Sequence, residues 1–332
     1  MRTEMVLRGN TIPPMMAEPT PSGSPDRLMV VLALAAVYVV WGSTYLGIRF
    51  ALEGFPPLLM SAIRFAIAGG AMYGWLRLRG APNPTPRQWW NATQLGGLLL
   101  VGGTGLVCIA EDVGVGSGVA AIAIAAVPLW AALLGGLFGQ RSIRLEWIGL
   151  VVGFAGVALL AGEGDFQATL TGAALIIIAP ISWALGSVRS PRLDLPSNSM
   201  ATATQMLCGS VLLGIAALLT GETIDAPPSA KAWGALLYLI VMGSLVAYTA
   251  YVFLLHRVRP ALATSYAYAN PVVAVVLGIT LGGETITGFA YVALPIILAG
   301  VAFVVLAQRG AARVPAAMPA SPAASRRARR AR

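Results

Sequence analysis

The chain has 332 residues, of which 57% are hydrophobic and 11% charged, with a formal net charge of +9. A soluble domain carries about 25% charged residues, so a water-exposed globular fold is excluded. Apolar runs of about 20 residues, the length that spans a hydrocarbon core of about 30 Å, recur from Leu28 to Ala307 and make this an all-α membrane protein.

Residues 1–27 are polar and proline-rich. They lack the short basic start and immediate apolar core of a signal peptide, and read as a disordered cytoplasmic tail. Ten spans follow, near 28–50, 56–77, 92–111, 117–138, 146–162, 169–189, 198–219, 232–255, 262–282 and 287–307. Breakers such as Gly54-Phe55-Pro56-Pro57, Pro82-Asn83-Pro84 and Pro227-Pro228 stand between them. Residues 308–332 are rich in Ala, Pro and Arg and read as a second, basic, disordered tail. Cys108 and Cys208 both fall inside apolar runs and read as small core residues rather than a disulfide.

The loops sort by charge. One set carries Arg77, Arg79, Arg87, Arg141, Arg144, Arg189, Arg192, Arg257 and Arg259. The alternate set carries Glu53, Glu111, Asp112, Glu163, Asp165, Glu222, Asp225 and Glu284, with Lys231 its one basic residue. Lys and Arg accumulate on the cytoplasmic side, which places both termini there. The net charge is accounted for by membrane topology, and no nucleic-acid partner is expected; the basic tail faces anionic lipid instead.

The chain also repeats. Ala155-Gly156-Val157 returns 144 positions later as Ala299-Gly300-Val301, Trp41 returns as Trp183, and Gln140 as Glu284. The first copy covers 28–162 and the second 169–307. Each holds five spans, an odd number, so the two copies enter the bilayer from opposite sides. Inverted repeats of this kind belong to carriers, with the substrate site near the midplane where the copies meet.

The stretches WGSTYLGIRFALEGFPPLLMSAIRF, GGTGLVCIAEDVGVGSGVAAIAIAAVPLW and GSLVAYTAYVFLLHRVRPALATSYAYANPVVAVVLG resemble the EamA family of the drug/metabolite transporter superfamily. The resemblance covers roughly 30–307, both copies. It implies a ten-helix carrier of the bacterial inner membrane that exports amino acids or other small metabolites. The family often has an acid at the end of its fourth helix, where this chain has Gln140, so any role for that acid is not carried over.

The candidate substrate contacts are Trp41, Tyr45, Arg64, Trp183, Ser187, Tyr248, Tyr251, Tyr266 and Asn270. Arg64 lies eight residues past Pro56, at a depth where a charge costs about 2.5–3.5 kcal/mol. It must face protein or water, either to grip a substrate carboxylate with its fork of donors or to tie structurally to helix-end carbonyls, Glu53 or Glu111. Trp41, Tyr45 and Arg49 share one stripe of the first span, and Arg49 is spaced for a local pair with Glu53. Trp183 is the repeat partner of Trp41, with Ser187 one turn on. Tyr248 and Tyr251 lie on the eighth span. Tyr266 and Asn270 lie on the ninth, just before Pro271, whose ring frees the carbonyl of Ala267. Gln205 stands near the place in the second copy that Arg64 holds in the first. Pro128, Pro180 and Pro295 are expected kinks. The one histidine, His256, sits among cytoplasmic arginines.

No catalytic set, metal-ligand pair or phosphate loop is present in the sequence. The expectation is therefore a transporter and not an enzyme, with no cofactor and no metal. Its partners are a small-molecule substrate and the lipid bilayer, and nothing demands an oligomer. The favoured function is export of amino acids, aromatic or hydrophobic ones first, by alternating access around a cavity lined by spans 1, 2, 6, 8 and 9. The rivals are a multidrug cation exporter, which would want an acid near a span centre, and a non-transporting receptor or scaffold. Glu111 and Glu284 are the candidates for proton coupling.

Overall fold

The computed structural model describes residues 25–115, 124–139, 142–161, 170–197, 199–270, 272–273 and 288–311. Residues 1–24 and 312–332 of the expected tails, Gln140, Glu163, Asp165, Pro271 and Glu284 lie outside the described residues, whereas 25–27 and 308–311, expected to be disordered, continue the first and last helices. Within the described residues the chain is helical, with no strand.

In chain order the helices are α1 Pro25–Leu52, α2 Pro57–Leu78, α3 Pro86–Asp112, α4 Val127–Leu137, α5 Arg144–Ala161, α6 Leu170–Arg189, α7 Ser199–Thr220, α8 Ala230–Arg257 and α10 Gly288–Ala311. Between α8 and α10 lies α9, which begins as Pro260–Ala263, breaks at Thr264 and Ser265, and resumes over 266–270. Among the described residues six helices are long and apolar enough to cross a membrane: α1, α2, α3, α6 (carried on to Arg192), α7 and α8. Shorter apolar helices accompany them. Large side chains such as Leu78, Leu137, Leu170 and Leu218 stand exposed on the outside of the bundle, as they do where the solvent is lipid.

Local rules set the helix starts. Pro57 opens α2, where its missing N–H costs nothing, and the free N–H groups of Leu58 and Leu59 donate to the Glu222 carboxylate at 3.2 and 2.7 Å. Thr85 caps α3 in a reciprocal box with Gln88, and Ser229, 144 positions later, caps α8 through the N–H of Ala232.

Two features escaped sequence reading. Both α3 and α8 widen into a π-helical stretch, over Gly96–Gly105 and over Leu239–Tyr248. These stretches are 143 positions apart, so each copy carries the same irregularity at the same place. Pro128 is also different from expectation: it occupies the first turn of α4 after a turn at Ala126, and so begins a helix where a kink was expected. Pro180 and Pro295 do lie inside α6 and α10.

Packing pairs corresponding helices. α2 lies against α7, and α5 against α10. At the second of these crossings a Cβ on Gly300 would run into the backbone of Gly153, so the two backbones touch as small-residue interfaces in membranes allow. The turn between α1 and α2 meets the start of α8 at one end of the bundle, through Glu53–Lys231 at 2.7 Å and Phe55 edge-on to Trp233. The turn between α6 and α7 meets the start of α3 at the other, through Gln88 and Asn91 donating to Asp194. Glu53 therefore pairs with Lys231, and the local pair with Arg49 expected from spacing is not what forms. The second of these ends also holds the exposed loop arginines, including Arg192, which donates to the carbonyl of Phe138.

Candidate substrate cavity

A cavity of about 80 Å³ lies where α1, α2, α3, α4, α6, α8 and α9 converge. Seven of the nine residues singled out in the sequence line it: Trp41, Tyr45, Arg64, Trp183, Tyr248, Tyr266 and Asn270. Ser187 and Tyr251 do not; they sit behind Trp183. α3 and α4 are walls that sequence reading missed. Their Gly103, Thr104 and Val127 are small or apolar, and nothing in their pattern separates a cavity wall from ordinary helix packing.

Arg64 is 4% exposed. Its Nε donates to Ser244 Oγ at 2.7 Å, and Ser244 in turn donates to the carbonyl of Leu239 at 3.2 Å. Among the described residues it forms no ion pair, so the structural tie to Glu53 or Glu111 considered above is absent. The π-helical stretch of α8 makes room for the guanidinium: a Cβ on Gly243 would stand 2.5 Å from Nη2. Ser244 and Gln205 were legible as polar residues inside apolar runs, which need partners in a membrane, but the partners themselves were not. Gln205 accepts from the Tyr248 hydroxyl at 2.8 Å. It thus supports a cavity tyrosine and does not confront Arg64.

Asn270, 3% exposed, lies opposite on α9. Its amide and the Tyr45 hydroxyl are hydrogen-bonding neighbours, and its Oδ1 has no partner among the described residues. Tyr268, on the other face of α9, points away and donates to the carbonyl of Leu150 on α5 at 3.0 Å.

Four rings pack together at the cavity, three of them in its wall and Tyr251 behind. Trp41 lies 5.5 Å from Trp183, 5.0 Å from Tyr251 and 4.6 Å from Tyr266, and Tyr251 lies 5.4 Å from Trp183 and 5.6 Å from Tyr266. These are the tilted and edge-on arrangements that ring quadrupoles favour. Every polar tip on Trp41, Trp183 and Tyr251 is satisfied. Trp41 Nε1 donates to the carbonyl of Gly243 at 3.1 Å. Trp183 Nε1 donates to Tyr251 Oη at 2.9 Å, and Tyr251 donates to Ser187 Oγ at 2.5 Å. Ser187 passes its own proton to the carbonyl of Trp183 at 2.6 Å. Beside them, Tyr38 donates to Ser265 Oγ at 2.5 Å, at the break in α9.

Comparison with known proteins gives this geometry a context. The sequence model of the EamA-like transporter family matches the chain twice, over residues 28–162 and 170–306. The chain belongs to the EamA-like transporter family. It is 46% identical over 274 residues to the uncharacterized inner membrane transporter YedA of Escherichia coli, a match covering 82% of this chain and 90% of that one. It is 26% identical over 279 residues to a probable terminal-alkyne amino-acid exporter of Streptantibioticus cattleyicolor, over 82% and 91% of the two chains. A solved crystal structure, 21% identical, matches with a TM-score of 0.69 over 84% of this chain and 97% of that one, a likeness of fold alone. This EamA-like protein is a multi-pass transporter of the bacterial inner membrane, as the resemblance read from its motifs implied.

Proposed function

We propose that this EamA-like protein is a secondary carrier that exports amino acids, hydrophobic and aromatic ones first, by alternating access. In this reading ten spans form two inverted five-helix copies, with both termini and the arginine-rich end in the cytoplasm. The matching π-helical stretches, the matching helix caps and the reciprocal contacts at the two ends support an inverted pair. The Streptantibioticus relative, a probable terminal-alkyne amino-acid exporter, supports the substrate class.

One observation carries the reading: a guanidinium tied through Nε to the Ser244 hydroxyl and an amide oxygen with no partner among the described residues line a single cavity. The guanidinium of Arg64 offers donors that fit a carboxylate, and Asn270 Oδ1 offers an acceptor that fits an ammonium. Trp41 and Tyr266 line the same cavity, and aromatic rings attract a cation. Among the described residues the lining has no carboxylate, which disfavours the multidrug-cation alternative. At about 80 Å³ the cavity is far below the roughly 300–1,000 Å³ of ordinary ligand sites, so a bound amino acid requires the helices to part.

Purified protein in liposomes tests this. Labelled tryptophan, phenylalanine or threonine is taken up, and unlabelled amino acids compete. Carboxylates lacking the amine compete more weakly. Flux of a cationic dye with no amino-acid uptake would sink the reading.

A further inference from the structure

A second chamber lies at the arginine-rich end of the bundle. It is a cavity of about 560 Å³ lined by Ala131 and Ala132 of α4, Glu146 of α5, Leu255 of α8, Arg259, and Ala261 of α9. Glu146 is fully buried and holds Arg259 through both carboxylate oxygens, at 2.7 and 2.8 Å. This strap joins the first copy to the second across the chamber wall.

Three helices connect the two chambers, α4 and α8 running from the central cavity to the end chamber and α9 the opposite way. On α4 the central cavity is lined by Val127 and the end chamber by Ala131 and Ala132. On α8 the central cavity has Gly243 and Tyr248, and the end chamber has Leu255. On α9 the end chamber has Pro260 and Ala261, and the central cavity has Tyr266 and Asn270. Tyr251 falls between the two groups on α8, and Ser265, the acceptor of Tyr38, falls between them on α9. Trp41, Trp183 and Tyr266 line the central cavity, and Tyr251, packed against all three, lies outside both linings.

We propose that Trp41, Trp183, Tyr251 and Tyr266, latched by the Tyr251–Ser187 hydrogen bond, form the inner gate of one solute path whose two chambers are the central cavity and the end chamber. Ser187 and Tyr251 thereby act in opening and closing and do not contact the solute. The rings come from α1 of the first copy and from α6, α8 and α9 of the second, and side chains alone join them across the boundary, apart from the Trp41 bond to the Gly243 carbonyl. They separate without any helix unwinding, and each hydrogen bond given up contributes little, so opening is reversible. The inference rests on the carrier reading but not on which solute is carried.

The test uses access and no substrate. Cys108 and Cys208, the two cysteines of the chain, are replaced by alanine and serine. Thr104→Cys then probes the central cavity and Ala261→Cys the end chamber. A membrane-impermeant maleimide is added to sealed inside-out vesicles. Ala261→Cys reacts and Thr104→Cys is protected. Adding Tyr251→Ala or Ser187→Ala raises labelling of Thr104→Cys by about three- to tenfold, the population shift that one lost hydrogen bond supplies, while the rate at Ala261→Cys is unchanged. The unchanged rate also reports that the variant is folded. Ser187→Ala removes a single hydroxyl and carries the comparison should Tyr251→Ala fail to fold. The gate is refuted if Thr104→Cys reacts from the inner face without either substitution, or stays protected with both. Loss of amino-acid uptake with this labelling pattern intact refutes the substrate reading and supports the gate.

Discussion

Arg64 concentrates the chemistry of the site in one side chain. A guanidinium among apolar helices needs partners, and among the described residues Arg64 has the Ser244 hydroxyl and the Phe65 ring, with further donors toward the cavity. Hydrogen bonds to a charged group are worth about 1.5–3 kcal/mol. Arg64→Gln is therefore expected to weaken competition by amino acids about 10- to 100-fold in liposome uptake, with the protein still inserted and folded. Unchanged uptake, or loss of the folded protein, would make Arg64 structural. Asn270→Ala is expected to cost zwitterions about three- to tenfold, the value of a neutral hydrogen bond, and to leave competition by amine-free carboxylates unaltered. Equal loss for both would show that the amide presents its nitrogen, turning the site into a plain anion site. The sequence made both residues legible, because a lone charge and a polar amide stand out against apolar runs. Gly243 and Ser244, which house the guanidinium, belong to a stretch 180 positions away, so no local pattern pairs them with Arg64.

At the scale of helices, corresponding elements behave alike because their backbones meet under the same constraints. The α5–α10 crossing allows no side chain at Gly300, whereas Gly70 on α2 has nothing within 4 Å of its Cβ position. Gly300→Val is expected to abolish the folded protein in detergent, while Gly70→Ala leaves its thermal midpoint within a degree or two; size-exclusion and thermal-shift traces check both. The π-helical stretch of α8 brings a subtler case. A methyl at Gly243 displaces the guanidinium, so Gly243→Ala is expected to retain expression and lose most uptake. Glu222→Ala leaves the N–H groups of Leu58 and Leu59 without their acceptor and should destabilise the protein by about 1 kcal/mol, as other lost caps do, seen as a lower thermal midpoint. Periodicity and breakers located most described helix ends to within a few residues, α3 starting six residues earlier than expected, but neither π-helical stretch was legible. Such stretches arise when an extra residue is accommodated against a neighbour, here Trp41 and Arg64 on α8 and Trp183 on α3, and the neighbour is distant in sequence.

Across the whole molecule the two copies are joined at both ends, by Glu53–Lys231 and Glu222 at one and by Gln88–Asp194 and Glu146–Arg259 at the other. If the copies are inverted, these ends face opposite compartments. In the cysteine-free background, the pair Glu53→Cys with Lys231→Cys should cross-link and react with impermeant thiol reagents from the periplasmic side. The pair Gln88→Cys with Asp194→Cys should do so only in inside-out vesicles. Labelling of both pairs from the same side would refute the inverted topology.

The sequence by itself determined that this chain is a helical membrane protein, a duplicated one, with its arginines gathered in alternate loops and its unusual polar residues at Arg64 and Asn270. These follow from composition and period, which every residue reports locally, since the bilayer acts on each span separately. The tertiary structure alone decided which polar groups are consumed by the protein and which are left facing the cavity. It set Tyr251 and Ser187 behind the wall, brought α3 and α4 to the cavity, and turned Glu53 to Lys231 in place of Arg49. Those outcomes depend on contacts between residues more than sixty positions apart, and a hydrogen bond satisfied by a distant helix leaves no mark on the residues beside it in the chain.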